Sequence, residues 1–139
     1  MDTTVVESNL INPGICDGQI TVLTDPLSFW GGFDPIHGTI IDKHHPQSGL
    51  CLTGKIVIMP GSRGSGGGPA GIAESIRRGS GPLGFVVPFN DVALVIGTMV
   101  AAKLYDIVLP VAVVDTDQYE VVSAWSCMQI YADGRLCGQ

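Results

Sequence analysis

Apolar positions fall into two regimes along the chain. In the first fifty or so residues, short runs with β-type alternation stand between prolines and glycines, as in Gln19 to Thr24, where Ile20 and Val22 alternate with polar neighbours. Short strands and turns are the expectation there. From Trp30 to Gly49 there is little periodicity, and the pairs Gly31-Gly32 and Asp34-Pro35 break the segment further. A loop of that length is usually functional or disordered. Beyond it the pattern changes. Lys55 to Met59 is a continuous apolar run, the signature of a strand covered on both faces, and Pro60 ends it. A glycine-rich turn leads to Ala70 to Arg78, where Ile72, Ala73 and Ile76 share one helical face. Pro69 suits the first helical position and Gly79 the stop. Gly84 to Val87 predicts a strand. From Asp91, the positions Val92, Val95, Ile96, Met99 and Val100 recur at helical spacing and predict a buried helix. Val108 to Val114 predicts a further strand, and Asp133-Gly134 a late hairpin turn. Strand, helix, strand, helix, strand is an α/β order, and it favours short strands in a parallel sheet flanked by helices, with right-handed crossovers.

A chain of 139 residues fits a single domain, residues 1–139, able to bury a core without disulfides or metals. Only 14% of residues are charged, against about 25% in an average soluble protein, so part of the surface is expected to meet a partner. The net charge is -6 and the seven Lys and Arg are scattered, which argues against nucleic acid. The Met-Asp-Thr-Thr start lacks the basic and apolar regions of a signal peptide, so a cytoplasmic location is expected. Val92 to Ala102, the longest apolar stretch, is far shorter than the ~20 residues that cross a bilayer, and no membrane partner is expected. Cys16, Cys51, Cys127 and Cys137 form no C-x-x-C pair and have no histidine at zinc-finger spacing; they are expected to be buried thiols.

The segment Pro60-Gly61-Ser62-Arg63-Gly64-Ser65-Gly66-Gly67-Gly68-Pro69 lies between the predicted buried strand and a helix start, where ligands collect in open α/β sheets. Glycines let backbone approach a ligand closely, and the first helical N–H groups favour an anion. Arg63 adds a fork for a carboxylate or phosphate. A P-loop reading fails, because Gly67 and Gly68 stand where Lys and Ser or Thr are required. A dinucleotide fingerprint is satisfied by Gly66, Gly68 and Gly71, although Ser62 to Ser65 separate the first of these glycines from the strand. In the third reading Ser65 and Arg63 are themselves catalytic. On composition alone the segment is a turn with two incidental serines.

A longer string of residues bears on that choice. Pro26-Leu27-Ser28-Phe29-Trp30-Gly31-Gly32-Phe33-Asp34-Pro35, then Gly38-Thr39-Ile40-Ile41-Asp42, His45-Pro46, Gly54-Lys55 and Pro60 to Ser65 together resemble the small subunit or domain of aconitase X enzymes. The likeness continues to Leu109-Pro110-Val111 and covers nearly the whole chain. The resemblance implies a swivelling β/β/α domain, the counterpart of the mobile fourth domain of aconitase. It implies a larger partner subunit that carries an iron-sulfur cluster, and a hydro-lyase activity on cis-3-hydroxy-L-proline or mevalonate 5-phosphate, small hydroxy acids. It makes Ser65 the catalytic base, with Arg63, Ser62, Gly64 and Gly66 around the substrate. Relatives often carry Ser or Cys directly after this serine, where this chain has Gly66-Gly67-Gly68. The wording of Pro35-Ile36-His37-Gly38-Thr39-Ile40-Ile41-Asp42 and of Pro60 to Ser65 looks more like the hydroxyproline branch.

Other readings stay beside this one. His37, His44 and His45 read as solvated loop histidines rather than a metal site, since adjacent side chains in an extended segment point to opposite faces. Trp30 and Phe33 either line a substrate pocket or pack against a partner or their own core. Asp34 and Asp42 read as turn caps. Two alternative functions are a stand-alone nucleotide-binding module built on Gly66 to Gly71 and a phosphohistidine carrier; the absence of a histidine from the glycine loop counts against the latter.

Overall fold

A computed structural model describes residues 4–64 and 67–139. Its strands are β1 (Thr4–Glu7), β2 (Asn9–Asn12), β3 (Cys16–Val22), β4 (Phe33–Asp34), β5 (Thr39–Ile40), β6 (Ile56–Ile58), β7 (Gly84–Val87), β8 (Val111–Val113), β9 (Cys127–Ile130) and β10 (Arg135–Gly138); its helices are α1 (Gly68–Arg78), α2 (Val92–Tyr105) and α3 (Thr116–Ser123). The main sheet runs β1-β10-β9-β3-β6-β7-β8-β2. Its centre, β3 with β6, β6 with β7 and β7 with β8, is parallel, as the strand–helix alternation requires. Antiparallel pairs complete it on both sides: β9 with β3, β10 with β9 and β1 with β10, and β2 with β8.

β1 and β2 lie at opposite ends of this order, yet Ser8 alone separates them. The sheet therefore curls until its two edges meet. Ser8 fixes that junction, its amide and its hydroxyl both donating to the Gly134 carbonyl at 3.0 and 2.7 Å. β3 is the opposite hinge, with Cys16 to Gln19 on β9 and Ile20 to Val22 on β6.

Two cores follow from the curl. One is made of Val6, Ile56, Ile58, Val86, Ala112, Met128, Ile130 and Leu136, closed by Val122 from α3. The other lies across β6 to β8, where Val57, Phe85, Val87 and Val111 meet Leu27, Phe29, Ile72, Ile76, Leu94 and Ala101. Adjacent residues of β6 and β7 thus enter different cores, which is why those strands read as unbroken apolar runs.

Several expectations need correction. α2 does not bury the face its spacing suggested. It buries Leu94, Gly97, Thr98 and Ala101, while Val92, Ile96 and Met99 are 62%, 45% and 53% exposed. The helix is apolar all round, so periodicity cannot choose a face. What decides is size: a Cβ at Gly97 would stand 2.7 Å from that of Ile72 on α1, so the side with small residues takes the close helix–helix contact. Val108 is exposed and the eighth strand starts only at Val111. The hairpin turn at Asp133-Gly134 joins β9 and β10 as expected, whereas β1, β2 and α3 had no clear sequence pattern; α3 announces itself only through a capping box between Asp115 and Gln118.

The segment from Trp30 to Gly49 is ordered. β4 pairs with β5, and Asp34 and Asp42 accept from the amides of Ile36 and His44 at 2.8 and 2.9 Å, the turn caps expected of them. His37 and His44 are exposed, but His45 is buried, which overturns its reading as a solvated residue. Its Nδ1 accepts from the Gln47 amide at 3.0 Å, so Nε2 carries the proton toward the Asp25 carbonyl, 3.2 Å away. Gln47 in turn ties the segment to the end of β3 through Val22 and Thr24. The cysteines also differ from expectation: Cys51 is exposed and the other three are half-buried.

Candidate functional site

The glycine loop leaves the end of β6 and enters α1. Its first half is held as an extra piece of strand: Leu27 donates to the Gly61 carbonyl at 3.2 Å and accepts from the Arg63 amide at 3.1 Å. Gly61 has φ +145°, which favours glycine, and a Cβ there would stand 2.5 Å from the Phe89 ring and push that exposed side chain aside. On the far side, a Cβ at Gly67 would meet the Trp30 ring at 2.6 Å. Trp30 and Phe89 are 62% and 47% exposed and flank the loop as an apolar rim. Phe33 is instead a core residue, 5.3 Å from the Phe29 ring.

Two carboxylates anchor the loop. Asp91, at the start of α2, accepts the Ser62 amide at 2.6 Å and the Ser62 hydroxyl at 2.8 and 2.9 Å. It also accepts the Leu94 amide at 3.2 Å. Asp42 accepts from Arg63 at 2.9 Å, and the His44 amide, then Arg63, holds its carboxyl below the usual range. Arg63 stays half exposed and has further N–H donors for an anion. At the loop's other end, Gly67 caps α1 without a side-chain acceptor, and no acidic residue stands in the first turn. That end of the helix favours negative charge.

Ser62, Arg63 and Gly64 are thus brought together on the described part of the loop, Gly64 against Ser28. Ser65 and Gly66 lie outside the described residues. The sequence reading missed the reach of Asp91, taken only as a helix start, and that of Asp42, taken only as a turn cap. Gly71, counted in the dinucleotide fingerprint, has a packing reason of its own: the Phe29 carbonyl occupies the space a side chain would need.

Hollows of about 510 and 610 Å³ also mark the surface. The smaller opens beside Pro60, between Val22 to Thr24 and Tyr119 to Ala124. The larger lies over β3, β9 and β10, lined by Asp17, Gln19, Cys127 and Cys137, and shares no residue with the loop.

The cysteines do not fit an iron-sulfur cluster. No three His, Cys, Asp or Glu side chains gather at metal-binding distance among the described residues. Burial, and then Asp17, push the Cys16 thiol up to about 12, which disfavours the thiolate such a ligand must be. No helix among the described residues is long and apolar enough to cross a membrane.

Comparison with known proteins agrees with this architecture. A family model described as aconitase X swivel domain matches residues 5–136. A cis-3-hydroxy-L-proline dehydratase of Pseudomonas aeruginosa is 36% identical over 88% of this chain and 21% of its own length. One from Hypocrea jecorina is 33% identical over 80% and 19%. The phosphomevalonate dehydratase small subunit of Methanopyrus kandleri is 38% identical over 58% of this chain and 60% of its own. The chain thus spans about a fifth of the length of the two hydroxyproline dehydratases. Among solved structures, Thermococcus kodakaraensis aconitase X in its holo-form superposes with a TM-score of 0.82 at 22% identity, over 98% of both chains. With the family model covering all but the ends and the fold in agreement, the chain belongs to the aconitase X swivel-domain family.

Proposed function

We propose that this chain is the small component of an aconitase X type hydro-lyase, dehydrating cis-3-hydroxy-L-proline to a pyrroline-2-carboxylate with a larger partner. The observation that carries this reading is the tethered glycine loop, fixed by Asp91 and Asp42 at the open start of α1 and rimmed by exposed Trp30 and Phe89. A loop held this firmly with its aromatic rim uncovered suits a site completed by a second surface. The lack of fitting cysteines here supports assigning the iron-sulfur cluster to the partner.

In this reading the α1 start and Arg63 bind the substrate carboxylate, and Gly64 and Gly66 let the backbone approach it. Ser65 takes the proton from the carbon that bears the amine and carboxylate. A serine serves as base only if its alkoxide is stabilised, a role for N–H groups at the helix start and for a nearby cation; Arg63 either supplies that cation or clamps the substrate carboxylate. The adjacent C–O bond breaks, the departing hydroxide takes the proton that Ser65 gained and becomes water, and the enamine tautomerises to the cyclic imine. Ser62 stands beside the substrate, its own hydrogen committed to Asp91.

Identity over most of the chain to the Pseudomonas dehydratase supports the hydroxyproline substrate. So does the presence of Arg63 as the sole basic residue between Pro60 and Pro69, since a phosphate ester recruits more than one cation. Mevalonate 5-phosphate is the second reading, favoured by the 38% identity to the Methanopyrus small subunit. Coexpression with the large partner and parallel assay of both compounds tests the choice. Water loss from hydroxyproline is expected; turnover of mevalonate 5-phosphate alone would select the other branch.

A further inference from the structure

We propose that Asp91 is a positioning residue for this reaction: it holds the Ser62 hydroxyl as a donor to its own carboxylate, so that Ser62 meets the substrate as a hydrogen-bond acceptor. The inference rests on the dehydratase reading above.

Capping alone does not account for Asp91. The same chain carries a second aspartate cap, Asp115 on α3, which is exposed and accepts the Gln118 amide at 2.8 Å. A cap needs nothing more. Asp91 is 3% exposed, and taking a carboxylate out of water is costly unless its lone pairs are met. No ion pair to Asp91 occurs among the described residues. Apart from the Leu94 amide, its partners are both donors of Ser62, a residue 29 positions earlier in the glycine loop. The carboxylate is buried where it orients that one residue.

The orientation has a chemical content. A serine hydroxyl has one hydrogen, and here the carboxylate takes it. Ser62 is only partly buried, and toward the loop it offers lone pairs alone. It can accept from a hydroxyl or ammonium group of the substrate and cannot donate to a carboxylate or phosphate. The two ends of the substrate are thereby sorted: anionic oxygens go to the α1 start and Arg63, and a donor group goes to Ser62.

The test uses Asp91→Asn and Ser62→Ala, singly and together, in the reconstituted complex. Asparagine caps a helix as well as aspartate does, but with its oxygen kept on the Leu94 amide its NH2 group replaces the oxygen that accepts the Ser62 amide, so the amide loses its acceptor and the hydroxyl one of its two. Each single change is expected to lower kcat/KM about 10- to 100-fold, mainly through KM, with the complex still copurifying. The double variant should lose clearly less than the two single losses combined, because both changes act on the Ser62 hydroxyl, while Asp91→Asn also removes the acceptor of the residue 62 amide. Wild-type kinetics in both single variants, or fully additive losses, would overturn the proposal. NMR on the full chain supplies an independent readout. The Ser62 amide proton should lie far downfield and exchange slowly, and Asp91→Asn should reverse both; an unshifted amide would also overturn it. If Asp91→Asn does not fold, Ser62→Ala and the wild-type amide decide. If the wild-type complex dehydrates neither compound, the dehydratase reading falls, while the amide measurement still decides the Asp91–Ser62 pairing.

Discussion

Arg63 sits between two obligations, an ion pair with Asp42 and, in the proposed reaction, the substrate carboxylate. Arg63→Lys should lower kcat/KM measurably, because a lysine cannot hold both in fixed geometry; unchanged kinetics in the reconstituted complex would show that the guanidinium serves Asp42 alone and not the substrate. Ser65→Ala should abolish turnover with assembly intact, and near-normal turnover would move the base to Ser62 or to the partner. The Asp42 carboxyl is held down, so its pairing stabilises the fold at pH above the ordinary carboxylate range and is lost as the pH falls through the depressed value. Thermal melts of wild type and Asp42→Asn should therefore differ near neutrality and converge in acid. Among the cysteines, exposed Cys51 is the reactive one, its thiol lowered by a hydrogen bond with Thr53, whereas Cys16 is held up at about 12. A thiol reagent at neutral pH should modify one cysteine rapidly, and Cys51→Ser should remove that phase. Composition marked the glycine loop and the resemblance marked its serines. The sequence hid Asp91's second partner because local patterns end at the helix start.

At the scale of elements, α1 and β7 were legible, since one face or one run of each is plainly apolar. α2 was legible as a helix but not in its orientation, because every face is apolar and packing, not hydropathy, turns Gly97 inward. β1 and β2 were not legible, being four residues each with mixed polarity, and of β9 and β10 only the turn between them was. α1 also leans on backbone: Gly71 faces the Phe29 carbonyl, and even one methyl there forces the turn at Phe29 away from the helix. Gly71→Ala should cost about 1–3 kcal/mol or more in urea unfolding, although alanine is the better helix former. A stability gain would show that the segment yields freely.

For the whole molecule, the bulky residues that α2 turns outward on one side, Val92, Ile96 and Met99, make an exposed apolar surface that starts next to Asp91. The chain made alone should bind a hydrophobic dye, and far less of that dye when reconstituted with its partner; equal signals would separate this face from the interface. The purified chain should be iron-free and inactive by itself, and a visible iron-sulfur absorption band would contradict that.

The junction at Ser8 has a bearing on how the protein is made. β1 pairs with β10, Thr4 opposite Gly138, so the first strand of this domain to leave the ribosome is paired with the last. The parallel centre, with α1 and α2 on it, can assemble while translation continues. The ring of strands cannot close until residues through Gly138 have cleared the exit tunnel, so β1 emerges as an unpaired edge and stays open until the rest of this domain has been made. Nascent chains arrested before Ala132 should stay protease-sensitive at β1, and extending the arrest point past Gln139 by a tunnel's length should bring protection in one step.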